Sequence, residues 1–238
     1  MSALPSRRDE AFRYSDIDAL ARVWPVATES VVVPAGGSFA RTIVQDAGGV
    51  ASLEIAIGKG ASAKVDVLNI GGDYGRVELA VTLHEGAAFA LNGVQLASGT
   101  QTLEIVTTVT HAEPGAISRQ TVRSVLSGQA TGTYLGKVAV ARGADGTDAE
   151  QSVRAMLLDR TANANAKPEL EIYADDVKCA HGCAIGELDA NGLFYLQSRG
   201  LPPAEAKRLM LQAFVAEVLE DADPALAERA LAKLGEMV

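Results

Sequence analysis

Residues 51–83 read ASLEIAIGKGASAKVDVLNIGGDYGRVELAVTL. Three runs within it, ASLEIAIG, AKVDVLNI and RVELAVTL, are built from small and branched apolar residues, alternate with polar ones at places such as Val65-Asp66-Val67, and are separated by Gly, Asn or Asp. A period of two over so short a run predicts a strand with one buried face, and the glycine-rich breaks predict turns. The stretch also contains a glycine-alanine step, Gly60-Ala61, that returns at Gly86-Ala87, Gly115-Ala116 and Gly143-Ala144, at intervals of 26, 29 and 28 residues.

Working outward, SVVVPAG, TLEIVTTVTH, TYLGKVAVA and ELEIYADDVKC extend the strand pattern on both sides, the last alternating at Leu170-Glu171-Ile172. Strands without intervening helices, repeating at a period of about 28 residues, fit a β-solenoid in which each coil stacks on the one before. A β-sandwich is the competing architecture. From residue 188 the texture becomes helical. Asp189 is placed to cap a helix through Arg199 with Leu193, Phe194 and Leu196 on its apolar face, and Gly200 stands where a left-handed terminator belongs. Pro203 and then Asp223-Pro224 mark two further helix starts, with Leu209, Ala213, Val215 and Leu219 in the first of them. The expected division is an N-terminal helical segment over 1–28, a β core over 29–187 and a helical subdomain over 188–238. A helical tail after a solenoid commonly caps the open coil, and a partner-binding role is the other expectation.

The composition is consistent with a self-sufficient core. At 238 residues, 48% of them hydrophobic and 5% aromatic, the chain is long enough to fold without a disulfide or metal staple, and its interior must be mostly Val, Leu, Ile and Ala. A net charge of −9 is the wrong sign for a phosphate backbone or an anionic membrane, so nucleic acid and membrane are not expected partners. No apolar run is long enough to span a bilayer and the start reads as no export signal, which predicts a cytoplasmic protein.

The chemistry concentrates in DVKCAHGCAIGELD, residues 176–189, which holds both cysteines, Cys179 and Cys183, with His181 between them. On a strand these three share a face, yet the outer two then stand about 13 Å apart, too far for one ion held by bonds of about 2.3 Å. Either Gly182 bends the chain or the site is completed from another chain, since only His84 and His111 remain as further histidines. The bland reading of a lone cysteine is a small buried hydrophobe, and His181 is the residue that reading explains least well. Other motifs are weaker. GTYLGKV at 132–138 is one spacer short of a phosphate loop and lacks the hydroxyl residue after lysine, and the adjacent Asp175 and Asp176 would face opposite sides of a strand rather than one bond.

With the cluster in view, KPELEIYADDVKCAHGCAIGELDANGLFYLQSRGLPPAEAKRLMLQAFVAEVLE, together with residues 118–158 and the N-terminal RRDEAFRYSDIDAL, resembles the SufB/SufD family, and its SufD branch in particular. The likeness is specific from about residue 111 to 220 and generic before that. It implies a right-handed parallel β-helix and a noncatalytic scaffold of Suf-type iron–sulfur cluster assembly. The implied partners are SufB and the ATPase SufC, with a homodimer as the form open to the isolated chain. It places His181 as a ligand to iron or a transient iron–sulfur cluster at the SufB interface, with Cys179 and Cys183 beside it. It also places the ATPase contact near Tyr195, Arg199 and Gly200. Ser152 stands where the SufB branch carries its assembly cysteine, and Cys183 where the family commonly has a small residue. A stand-alone structural or metal-binding solenoid without an ATPase partner is the alternative.

Overall fold

The computed structural model describes residues 3–238; Met1 and Ser2, the first two positions of the expected N-terminal segment, lie outside the described residues. Twelve strands alternate between two sheets. Strands β1 (Thr28–Val33), β3 (Gly49–Ile57), β5 (Tyr74–Leu83), β7 (Thr102–His111), β9 (Thr131–Val140) and β11 (Asn163–Ile172) form one, in that spatial order. Strands β2 (Ser38–Gln45), β4 (Ser62–Asn69), β6 (Ala88–Ala97), β8 (Ile117–Leu126), β10 (Thr147–Leu157) and β12 (Val177–Glu187) form the other. Every pairing is parallel and in register, so the chain coils from one sheet to the other and climbs one strand per coil. This is a β-solenoid, not a sandwich.

The glycine-alanine repeat is a corner of the coil. Gly60 and Gly86 have φ of 62° and 63°, a left-handed turn that a side chain disfavours, and the Gly86 N–H donates to the Pro114 carbonyl of the next coil at 2.9 Å. The alanines that follow, Ala61, Ala87, Ala116 and Ala144, are buried in the tight corner. Inside, one face of each strand meets the other sheet across a lumen filled by residues such as Ile55, Val65, Leu79, Leu91, Ile105, Val122 and Val138. Alternation therefore does in this fold what it does in any half-buried strand, with the interior lying between two sheets of the same coil.

Two corrections to the strand reading follow. ELEIYADDVKC is not one strand: it breaks at residues 173–176, where the chain turns from β11 to β12. Asp175 and Asp176 sit in that bend, the Asp175 N–H facing Asp145 Oδ1 at 3.3 Å and the Asp176 carbonyl accepting from the Gly146 N–H at 2.7 Å, so they are turn residues. Strand β6 escaped the pattern because Val94 and Leu96 make its outer face apolar as well, and β2, β8 and β10 because polar residues such as Arg41, Gln120 and Gln151 stand on their lumen faces.

Those outer residues explain where the tail goes. After α1 (Ile17–Ala21) near the start, three C-terminal helices follow: α2 (Ala190–Ser198), α3 (Pro203–Leu219) and α4 (Pro224–Glu236). Leu211, Val215 and Val218 of α3 and Leu226, Ala230 and Leu234 of α4 bury against Leu68, Val94, Leu96 and Val125 on the outer face of the β2–β12 sheet. Arg123, itself buried, fixes α3 to the sheet through Glu217 at 2.6 Å and the Ser152 carbonyl at 2.9 Å. The tail thus clasps the flank of the solenoid and leaves its last coil uncapped, contrary to the capping expectation. Of the four α3 residues named from sequence only Val215 is buried; Leu209 is exposed.

The N-terminal segment covers the opposite flank. Arg76 and Glu104 project outward from β5 and β7, and Ser15 and Phe12 close over them. Arg76 Nη1 lies 2.5 Å from Glu104 Oε2, Ser15 Oγ donates to the same oxygen at 2.9 Å, and the guanidinium stacks 4.3 Å from the Phe12 ring centroid. Burial works against the charge on Arg76, but Glu104 and Glu78 outweigh it and hold the guanidinium proton more firmly than usual.

Candidate functional site

Strand β12 pairs with β10 residue for residue from Val177 to Glu187, without a break at Gly182, which faces Ser152 in the register. The strand therefore stays extended through the cysteine–histidine cluster, and Gly182 does not fold it around an ion. Cys179 continues the column Ala63, Phe89, Ser118, Ala149; His181 continues Val65, Leu91, Gln120, Gln151; Cys183 continues Val67, Gly93, Val122, Val153. These columns are the lumen face of the sheet. All three donors thus point along the inner face of the last coil, where no further coil covers them.

Their exposure follows from that position. Cys179 is half-buried and packs on the core, whereas His181 and Cys183 are exposed. Burial pushes both thiols above their ordinary range, an effect that Asp148 reinforces at Cys179 and its contact with the Ala149 backbone opposes. At neutral pH they are thiols rather than thiolates, and a metal would have to displace their protons. Cys183 Sγ makes a loose contact of 3.9 Å with the Ala166 carbonyl of β11, across the mouth of the lumen. No group of three or more His, Cys, Asp or Glu residues close enough to hold a metal occurs among the described residues.

The other histidines do not complete the set. His84 lies at a corner, its Nδ1 3.0 Å from Glu113 Oε1. His111 is fully buried, with Nε2 2.9 Å from Ser118 Oγ, and burial lowers its pKa to about 4. The remaining motifs are structural. Lys137 of GTYLGKV pairs with Glu171 at 2.6 Å, and Gly136 leaves room for the Tyr134 phenol, whose oxygen would lie 2.2 Å from a Cβ there. Ser152 faces outward and contacts Arg123 Nη2 at 3.1 Å.

Beneath His181 lies a polar patch that pattern reading missed. Thr107 Oγ1 donates to Gln120 Oε1 at 2.8 Å, Tyr134 Oη donates to the same oxygen at 3.3 Å, and Gln151 Nε2 donates to Tyr134 Oη at 3.3 Å. All four side chains are buried in the lumen, and burial pushes the Tyr134 hydroxyl up to about 12. The available signal was spacing: counting back one coil from His181 reaches Gln151, and one more reaches Gln120.

Helix α2 presents a second exposed feature. Asp189 caps it through the Asn191 and Gly192 N–H groups, and Gly200 ends it at φ 96°. None of its residues is buried: Phe194 is 71% and Tyr195 62% exposed, so Phe194 belongs to solvent and not to an apolar inner face. Arg199 and Gly200 are exposed beside them. On the outer side of α3 and α4, an open apolar groove is lined by Leu209, Ala213, Ala216, Leu219 and Leu231. No helix is long and apolar enough to cross a membrane among the described residues.

Set against known families, residues 28–214 match the SUF system FeS cluster assembly SufBD core domain, a span that includes the early strands as well as the motif-bearing region. An iron-sulfur cluster assembly SufBD family protein of Synechocystis is 34% identical over 72% of this chain and 38% of its own length. The iron-sulfur cluster assembly protein SufD of Escherichia coli is 32% identical over 64% of this chain and 36% of its own, and that of Bacillus subtilis 32% over 54% and 29%. The matched stretch covers well under half of each of these relatives.

Proposed function

The chain belongs to the SufB/SufD family, and on that premise we propose that it is a noncatalytic scaffold subunit of a Suf-type iron–sulfur cluster assembly complex, pairing with SufB and docking the ATPase SufC. The observation that carries the reading is the open last coil. Strands β11 and β12 are each hydrogen-bonded on one side only, so both sheets end in unpaired backbone groups that a second solenoid can extend. The same coil presents His181, Cys179 and Cys183 to whatever docks there.

In this reading iron, or the nascent cluster, is the cargo. His181 is its ligand from this side of the interface, and the remaining ligands come from SufB, because one extended strand places its donors too far apart to enclose the cargo alone. The two thiols become ligands only on losing their protons to the metal, so loading through them is favoured as pH rises. SufC docks on the C-terminal helices, where exposed Phe194 and Tyr195 lie close to Arg199 and Gly200; exposed aromatics of this kind are frequent interface anchors.

The test is co-expression of the tagged chain with SufB and SufC, recovery of the complex, and anaerobic iron and sulfide analysis. The wild type is expected to bring down both partners. His181→Ala should keep both and lower iron and sulfide by about tenfold or more, whereas Tyr195→Ala should weaken SufC recovery and leave SufB. Normal cluster content in the His181 variant would remove the ligand role, and a wild-type chain recovered alone would remove the scaffold reading.

A further inference from the structure

The buried amides under the open mouth have a defined direction. Gln120 Oε1 accepts from both Thr107 and Tyr134, so the Tyr134 hydroxyl proton is committed to it and the phenol oxygen is left to accept from Gln151 Nε2. That orients the Gln151 amide. Its nitrogen faces Tyr134, and its Oε1 is buried without a hydrogen-bond partner. A buried carbonyl oxygen left unpaired is costly and uncommon in folded proteins. The residue next to Gln151 on the uncovered side, one strand spacing of about 4.8 Å away and on the same face, is His181.

We propose that Gln151 is the positioning residue for His181: its Oε1 accepts a hydrogen bond from one imidazole N–H, holding the ring in a single tautomer with the lone pair of the other nitrogen turned toward the open mouth. Neutral imidazole has one donor nitrogen and one acceptor, and whichever partner takes the donor decides which nitrogen can bind a metal. Ligating histidines commonly donate their second nitrogen to such an acceptor, which sets ring orientation before the metal arrives. The chain Thr107, Gln120, Tyr134, Gln151 therefore orders an acceptor from inside the solenoid outward to its exposed end. The inference deepens the ligand reading of His181, but the hydrogen bond stands or falls without it.

The experiment uses the full chain alone, without metal, labelled with 15N at histidine, at a pH well above the range in which imidazole is charged. Long-range proton–nitrogen correlation reads the tautomer of each ring, and the His181→Ala variant assigns the His181 signal. In the wild type one tautomer of His181 should predominate. In Gln151→Met, which keeps the volume and removes both amide groups, the ratio should fall by about threefold to tenfold, the range set by one net hydrogen bond, while the buried His111 signal stays in place and reports an intact lumen. An unchanged His181 ratio in that folded variant would overturn the proposal. Should Gln151→Met disturb the His111 signal, Tyr134→Phe gives the same reading: it removes the acceptor that fixes the amide, so the ratio must again fall, and an unchanged ratio overturns the proposal. Normal cluster assembly by His181→Ala would remove the ligand role and leave this result untouched, so the two failures are distinguishable.

Discussion

The two ends of the solenoid are open for the same topological reason and closed to different degrees. One column of inward residues runs the length of one sheet, from Arg41 through Val65, Leu91, Gln120 and Gln151 to His181. At the first coil Arg41 turns to Glu29 of the opposite sheet at 2.5 Å and lies 5.7 Å from the Phe39 ring centroid, so the mouth is bridged by a charge pair within the chain. At the last coil the equivalent position is His181, and no ion pair spans the mouth among the described residues. Charged residues at a sheet edge discourage further strands from adding. On the proposed reading, that contrast is what leaves the last coil open to a partner while the first is guarded.

The comparison breaks most visibly if charge is placed on each end in turn. Cys183→Lys puts an ammonium at the exposed last mouth and should reduce recovery of SufB by at least about tenfold, since an unpaired charge is poorly tolerated in a buried interface. Its effect on the chain's own melting should be slight, because the position is exposed. Val32→Lys, at a first-coil residue that is 78% exposed, should change neither recovery nor melting. Equal loss from both ends would erase the distinction.

A smaller effect lies between the ends. His111 has its pKa lowered by burial to about 4, so the unfolded chain takes up a proton that the folded one refuses. Stability should therefore decline as pH falls from about 6.5 toward 4, by up to about 3 kcal/mol. Denaturant titration at stepped pH measures this, and His111→Gln should flatten the slope in that window. The least effect belongs to the first mouth. Arg41 and Glu29 are both substantially exposed, so a double-mutant cycle to Ala should give a coupling of about 0.5 kcal/mol. A coupling several times larger would mean that the bridge is structural and not merely an edge guard.

The legible parts of this fold are those where one periodicity acts alone. The glycine-alanine corners and the strands with polar outer faces stood out because turn chemistry and alternation agreed there. Strands β6 and β8 did not, because in β6 Val94 and Leu96 serve the helices outside while Leu91 serves the lumen inside, and in β8 polar Ser118 and Gln120 share the lumen face with Val122. A strand buried on both faces has no alternation to read. The tail's caps at Asp189 and Asp223 were local and readable, but its destination depended on that hidden outer face. The same holds for the site. Spacing along one strand placed Cys179, His181 and Cys183 on one face, whereas Gln151 is 30 positions from His181 in sequence and one strand away in space. Only the coil length, known after the register is fixed, brings them together.

The two flank coverings have a mechanical consequence. In a stack whose coils touch only their neighbours, unfolding can begin at either end and run inward. Here α3 and α4 lie across β6 and β8, and the N-terminal segment lies across β5 and β7, so each splints several central coils at once. The terminal coils are tied more sparsely, the last through the ion pair of Lys167 on β11 with Glu10 of the N-terminal segment and the first through Arg229 of α4 with Asp46. Strand β12, which presents the imidazole and the thiols, is paired to a neighbouring strand on one side alone, so its free edge is the part of the stack that a second surface can meet without displacing either flank covering.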